Sequence, residues 1–179
     1  VNISDDIFIF GTNQEDHDKR QEAVLSRLEA AGLKLNPSKC QSSLAQILFS
    51  GFKLTPQGIC PDESKIDAVN AFKTPEDIKD VRSFLGLVNY CSKFIKNFST
   101  ISAPLRSLTK TNTRFAWKKE HGIAFRVLKQ KLTQAQCMAY YNPQAPTKIV
   151  VDSSPFGIGA VLIQTQPDGC DRQVACGSR

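Results

Sequence analysis

Lys148-Ile149-Val150-Val151-Asp152-Ser153-Ser154-Pro155-Phe156-Gly157-Ile158-Gly159-Ala160-Val161-Leu162-Ile163-Gln164 decides the fold class. Two apolar, β-prone runs flank a break at residues 153–157. This predicts a strand over 148–152 that ends in an acid, with a hairpin partner over 158–164. Gly157 and Gly159 open a strand rather than a helix, so the segment is not a dinucleotide-binding loop. Downstream, Gln166-Pro167-Asp168-Gly169 is a turn, and residues 174–176 begin a third strand. Upstream, residues 137–141 are strand-like and Asn142-Pro143 turns the chain. A β-meander therefore closes the sequence.

The middle of the chain has helical periodicity. Asp62 is a suitable N-cap for a helix over 62–72 that buries Ile66, Val69 and Phe72. Thr74-Pro75-Glu76-Asp77 signals a second helix start, with Thr74 as cap and Pro75 at the first helical position. That helix runs to residue 91 and buries Ile78, Val81, Phe84, Leu85 and Val88. Gly86 in its interior predicts close packing against a neighbour. Residues 102–108 and 120–132 read as two more helices, the latter with Phe125, Leu128 and Leu132 in register and Trp117 as an anchor just ahead of it.

The head returns to strands. Asn2-Ile3-Ser4-Asp5-Asp6-Ile7-Phe8-Ile9-Phe10-Gly11 predicts a tight hairpin with two adjacent acids near its tip. Residues 14–31 form an amphipathic helix with Ala23, Val24, Leu25, Leu28 and Ala31 on one stripe. A short strand-like run at 33–35 follows. Residues 47–54 are β-rich with Gly51 in the interior, and Thr55-Pro56-Gln57-Gly58 turns the chain back through Ile59 and Cys60. Strands, then helices, then strands make an α+β protein.

The composition is that of a globular protein, with 41% apolar and 22% charged residues among 179. Twenty-three basic against 17 acidic side chains give +6, a mild lean toward polyanions. The six cysteines are scattered, with no C-x-x-C pair and no histidine at metal-ligand spacing. This argues against a disulfide framework or zinc site and for a reducing intracellular compartment, cytoplasmic or nuclear. No apolar run approaches a membrane span. His17 and His121 fall on polar helical faces and have no evident chemical role. Val1 and Arg179 both abut strand-like segments, as if the chain were part of something longer.

Asp5-Asp6 alone suits an exposed turn, where Asp is common. Two close carboxylates also repel unless a cation neutralises them, and Mg²⁺ prefers such hard oxygen ligands. Four longer strings favour the second interpretation. Residues 31–40 (Ala-Gly-Leu-Lys-Leu-Asn-Pro-Ser-Lys-Cys), 81–90 (Val-Arg-Ser-Phe-Leu-Gly-Leu-Val-Asn-Tyr), 94–99 (Phe-Ile-Lys-Asn-Phe-Ser) and 152–162 occur in the order found in one family. The chain resembles the part of a gypsy-type LTR retrotransposon Pol polyprotein that runs from reverse transcriptase into ribonuclease H.

The resemblance implies three regions: the C-terminal part of a polymerase palm over 1–60, thumb and connection helices over 61–135, and the start of an RNase H-like domain over 136–179. It places Asp5 and Asp6 as metal-binding carboxylates of a polymerase, with Ile3 where the family has an aromatic residue. Asp152 becomes the first carboxylate of the ribonuclease H site. Phe49, Gly51, Phe52 and Lys53 fall on the primer grip, where the glycine would admit a sugar-phosphate backbone; an ordinary hairpin packed on the palm would look the same. Lys65, Lys79, Arg82, Lys93 and Lys96 become candidate phosphate contacts on the thumb, positions where lysines also serve as a solvated face.

The implied cofactors are two Mg²⁺ or Mn²⁺ ions per active site in the intact parent. The implied partners are RNA template, DNA primer, RNA–DNA hybrid, deoxynucleoside triphosphates and the rest of the polyprotein, with no membrane. The family's remaining active-site acids fall outside these residues, so the chain alone is expected to be inactive. Two further readings stand beside this one: a decayed copy that still grips nucleic acid, and an interaction domain whose helices at 62–133 bind a partner.

Overall fold

The computed structural model describes residues 2–3, 5–111, 113–155 and 157–179, with only the backbone at Ile3. It is an α+β fold in which a helical body follows one small three-stranded sheet in the chain and precedes another. At the head, β1 (Asn2–Ile3) pairs antiparallel with β2 (Asp6–Ile7), Ile3 opposite Asp6. Ser4 and the Ile3 side chain, and with it the aromatic-position expectation, lie outside the described residues. α1 (Gln14–Ala30) is capped by Asn13, whose Oδ1 accepts from the Asp16 amide at 2.9 Å. Its apolar stripe is not buried: no residue of α1 is in the core, and Leu25 is exposed. Leu25 and Leu28 instead line a shallow apolar cleft with Leu33 and Leu35, which form no strand.

β3 (Ile47–Phe49), β4 (Phe52–Thr55) and β5 (Gly58–Pro61) form an antiparallel meander in that order. Gly51 is therefore in a turn, not in a strand interior. Ser50 (φ 47°) and Gly51 (φ 70°) are both left-handed, the signature of a two-residue hairpin turn that matches strand twist.

The helical body begins at α2 (Glu63–Ala71), capped by Asp62 as the sequence predicts. α3 (Ile78–Tyr90) starts later than expected, because Asp77 rather than Thr74 caps it. The Asp77 Oδ1 accepts from the Asp80 amide at 2.7 Å, and Asp80 accepts in turn from the Glu76 amide at 3.1 Å. Two carboxylates thus take up amides at this helix start, and aspartate is the better cap than threonine. A 3₁₀ turn over Ser92–Phe94 leads to α4 (Phe98–Leu108), which begins four residues earlier than predicted and tolerates Pro104 inside it. α5 (Lys119–Thr133) completes the body.

Val69, Val81, Phe84, Val88, Ile95, Leu105, Leu128 and Leu132 are almost wholly buried in the single core. Phe84 is central: its ring lies 5.4 Å from Phe72 on one helix and 4.5 Å from Phe125 on another. Trp117 anchors α5 edge-on to Phe125 at 6.2 Å, as expected. Two expectations fail here. Gly86 faces open space instead of a neighbour. His121 is buried, and its Nδ1 accepts the Lys118 amide at 2.9 Å, so it closes the first turn of α5 instead of facing solvent. Lys129 reaches from α5 to the Asn70 carbonyl at 2.9 Å, capping an end of α2 that has no basic residue in its own last turn.

The second sheet is β6 (Thr147–Ser154), β7 (Gly157–Thr165) and β8 (Asp171–Ser178), antiparallel in chain order. β6 runs two residues past Asp152, so the acid sits inside the strand and not at its end, directly opposite Gly159. Ile59 of β5 and Met138 exchange two 2.8 Å hydrogen bonds through their amides and carbonyls, and the next amide, Ala139, donates to the Gln173 carbonyl of β8 at 2.8 Å, so this short segment links the two sheets. Next to that bridge is a disulfide, Cys60–Cys137, which contradicts the expectation of none. Seventy-seven residues separate the two, so only the tertiary pairing at Ile59 and Met138 reveals them.

Phe84→Ala is expected to destabilise the fold by about 3–5 kcal/mol through the cavity left between Phe72 and Phe125. Leu25→Ala should stay within about 0.5 kcal/mol. Urea unfolding followed by Trp117 fluorescence measures both, and equal losses would contradict the helical core described.

Candidate nucleic-acid interface and carboxylate positions

The β3–β4 hairpin gathers most of the predicted binding residues. Phe49 and Phe52 face each other across the Ser50-Gly51 turn. Phe49 packs on Phe8 at 5.2 Å and so ties the hairpin to the head segment. Phe52 stacks nearly parallel on Tyr90 at 5.0 Å, and the Lys93 ammonium lies 3.3 Å from the Phe52 ring centroid. Lys65 is 6.0 Å from the Tyr90 ring. A cation over an aromatic face in a partly desolvated site gains more than an exposed one. Burial of Lys93 lowers its pKa, so its charge carries a penalty in the fold that fades as pH rises toward the ordinary lysine range.

Tyr90 is the residue whose role the sequence left unassigned. Its hydroxyl donates to the Ser50 carbonyl, and burial pushes its pKa up. It occupies the space beside Gly51: a Cβ there would overlap the Tyr90 hydroxyl. The glycine thus admits a tyrosine from α3, not an outside backbone. The signal was present in the sequence as an aromatic with a polar tip at the very end of a helix, next to the 3₁₀ turn that leads to Lys93.

The other basic residues are dispersed. Lys53 is paired with Glu63 at 2.9 Å. Arg82 lies two helical turns before Tyr90 and donates to the Thr109 carbonyl at 3.3 Å. Lys79 is exposed on the first turn of α3. Lys96 opens onto a cleft of about 480 Å³ whose walls include Lys131, Gln173 and Arg172.

The carboxylates do not meet. Asp5 is in the head turn and Asp6 in β2, both exposed. Asp152 is exposed on β6, where its Oδ2 accepts from Asn97 Nδ2 at 2.9 Å. Among the described residues, no three His, Cys, Asp or Glu side chains come close enough to hold a metal ion. Hard oxygen donors are of the right kind, but these residues do not make a complete metal centre. No helix among the described residues is long and apolar enough to cross a membrane.

Residues 117–179 match the model of the RNase H-like domain found in reverse transcriptase. Over 164 residues, 92% of the chain, the sequence is 33% identical to the Transposon Tf2-3 polyprotein of Schizosaccharomyces pombe, and 32% identical to the Tf2-7 polyprotein of the same yeast. The chain belongs to the gypsy-type LTR retrotransposon Pol family. It spans about 12% of the length of these polyproteins. Solved structures agree in fold. The foamy viral protease–reverse transcriptase in complex with double-stranded DNA superposes with a TM-score of 0.78 at 26% identity, over 96% of this chain and 36% of that one. The same viral enzyme in complex with an RNA/DNA hybrid gives 0.76 at 25% identity, over 93% and 23%. This retrotransposon chain is thus a reverse transcriptase–RNase H segment of a polyprotein.

Gly51→Ala should force Tyr90 off the hairpin and impose a left-handed alanine, destabilising by about 1–3 kcal/mol. Tyr90→Phe, which loses only the hydroxyl, should lose less, about 1 kcal/mol. Thermal unfolding of the two variants checks the order; a neutral Gly51→Ala would contradict the contact.

Proposed function

We propose that this segment holds the primer terminus and the duplex behind it in a retrotransposon RNA-directed DNA polymerase, and contributes the first acid of the attached ribonuclease H. Its regions are a palm-derived part over 1–60, thumb and connection over 61–135, and an RNase H-like part over 136–179. The observation that carries this reading is the Phe52–Tyr90–Lys93 cluster at the tip of the β3–β4 hairpin. Aromatic faces next to ammonium groups suit stacked sugars or bases beside phosphates.

In this reading Phe49, Phe52 and the turn at Gly51 position the primer end, while Lys53, Lys65, Lys79, Arg82, Lys93 and Lys96 meet phosphates along the duplex. Such contacts set affinity and register rather than sequence. Asp5 and Asp6, and separately Asp152, would supply hard oxygen ligands to Mg²⁺ or Mn²⁺, two ions per site, with the remaining donors and the nucleotide-binding residues coming from outside these 179 positions. Bound ions of that kind supply charge neutralisation at phosphorus. The substrates would be RNA template, DNA primer, deoxynucleoside triphosphates and RNA–DNA hybrid, in an intracellular setting.

The isolated chain should bind RNA–DNA hybrid with an affinity that falls steeply with salt, and should extend no primer with Mg²⁺ and nucleotides. Replacing both Lys65 and Lys93 by alanine should flatten the slope of log K against log salt by roughly 2, about one per lost phosphate contact. Filter binding at several salt concentrations measures this. An unchanged slope would contradict the role given to the hairpin cluster, and primer extension by the chain alone would contradict the division of the active site.

A further inference from the structure

At the N-terminus of α4 the molecule accepts three local penalties around one hydrogen bond. Asn97 is the N-cap of α4, a position where asparagine ordinarily turns its side chain onto the helix's own free amides. Here it makes no such bond. Its backbone is left-handed, φ 58° and ψ 33°, a conformation asparagine tolerates but does not prefer. Its Oδ1 is buried with no hydrogen-bond partner, which is unusual for a buried acceptor. All three surround one contact of Nδ2: 2.9 Å to Oδ2 of Asp152, across 55 residues of sequence.

The surroundings enforce that orientation. Turning the amide over would set its oxygen against the carboxylate, so Asp152 holds Nδ2 outward and Oδ1 inward. Oδ1 then lies where a side chain at Gly159 would begin, and Gly159 is the residue paired with Asp152 across the sheet. Two neighbouring contacts pin the same helix end to the sheet. The Ser99 amide and hydroxyl reach the Ser178 hydroxyl at 3.0 and 3.1 Å, and the Thr100 and Ser154 hydroxyls are 2.9 Å apart.

We propose that Asn97 is a positioning residue for the Asp152 carboxylate, fixing its orientation from the helical body and so linking the setting of the ribonuclease H acid to α4. The inference rests on the role given to Asp152 above. One of the carboxylate's acceptor sites is used by Asn97, and the others stay free on the exposed side of β6. An exposed aspartate otherwise samples several rotamers, and misplacement of a reacting group by about 1 Å can lower a rate by a hundredfold.

Two substitutions test this without touching Asp152. Asn97→Gly removes the amide and suits the left-handed backbone. Gly159→Ala evicts the amide by filling its place. In the 179-residue chain, NMR should show one Asn97 side-chain amide proton shifted downfield and protected from exchange, and Asp152→Ala should abolish both signs. An unprotected amide, or one indifferent to Asp152→Ala, overturns the contact. In the full-length reverse transcriptase containing this segment, both variants should lower kcat for hybrid cleavage about tenfold or more with KM unchanged and primer extension intact. Loss of cleavage in Asp152→Ala together with normal kcat in both variants overturns the positioning role alone. Cleavage that survives Asp152→Ala overturns the role given to Asp152, and the positioning role with it.

Discussion

Burial of Phe84 between Phe72 and Phe125 is the constraint on which the rest of the molecule depends. Neither sheet could stand by itself: the strands of the first are three or four residues long, and β6 of the second is exposed along nearly its whole length, so each buries too little apolar surface to offset the entropy of ordering it. The helices packed around Phe84 supply the missing surface. The hairpin sheet leans on them through Phe52 and Tyr90, and the second sheet through Ser99, Thr100 and Asn97. The Ile59–Met138 pairing and the Cys60–Cys137 bridge tie the hairpin sheet to the segment 137–139, and the Ala139 amide carries the link on to the Gln173 carbonyl of β8.

This architecture gives the charged residues unequal surroundings. Lys93 is held over an aromatic ring and partly desolvated, whereas Lys79 is exposed. A phosphate approaching the hairpin would meet an ammonium that has already lost part of its hydration, which strengthens the contact. Asp5 and Asp6 are exposed at the head, while Asp152 is restrained by an amide. The resemblance marks all three as metal-binding acids, two of a polymerase and one of a ribonuclease H; their settings differ as well.

The fold class and all five helices were legible because their signals are local. Asp62 caps where a cap was expected, and the 3.6-residue stripe of Val81, Phe84 and Val88 is the buried one. Where the sequence misled, a tertiary contact decided. Gly51 looked like a gap for a ligand and is filled by Tyr90; Gly86 looked packed and is open. His121 looked solvated because its neighbours are charged, yet its ring turns back under Lys118. The Asn97–Asp152 pair and the disulfide join residues 55 and 77 positions apart, and no periodicity reports such distances. The stripe on α1 predicted a buried face, but a stripe says only that a face is apolar, not that anything covers it.

Hydrogen–deuterium exchange of the chain with and without an RNA–DNA hybrid tests the central claim most directly. New protection should concentrate at residues 47–55 and 90–96, with α1 unchanged. Protection confined to α1, or none at the hairpin and Tyr90, would contradict the claim that the aromatic–lysine cluster is the surface that meets nucleic acid.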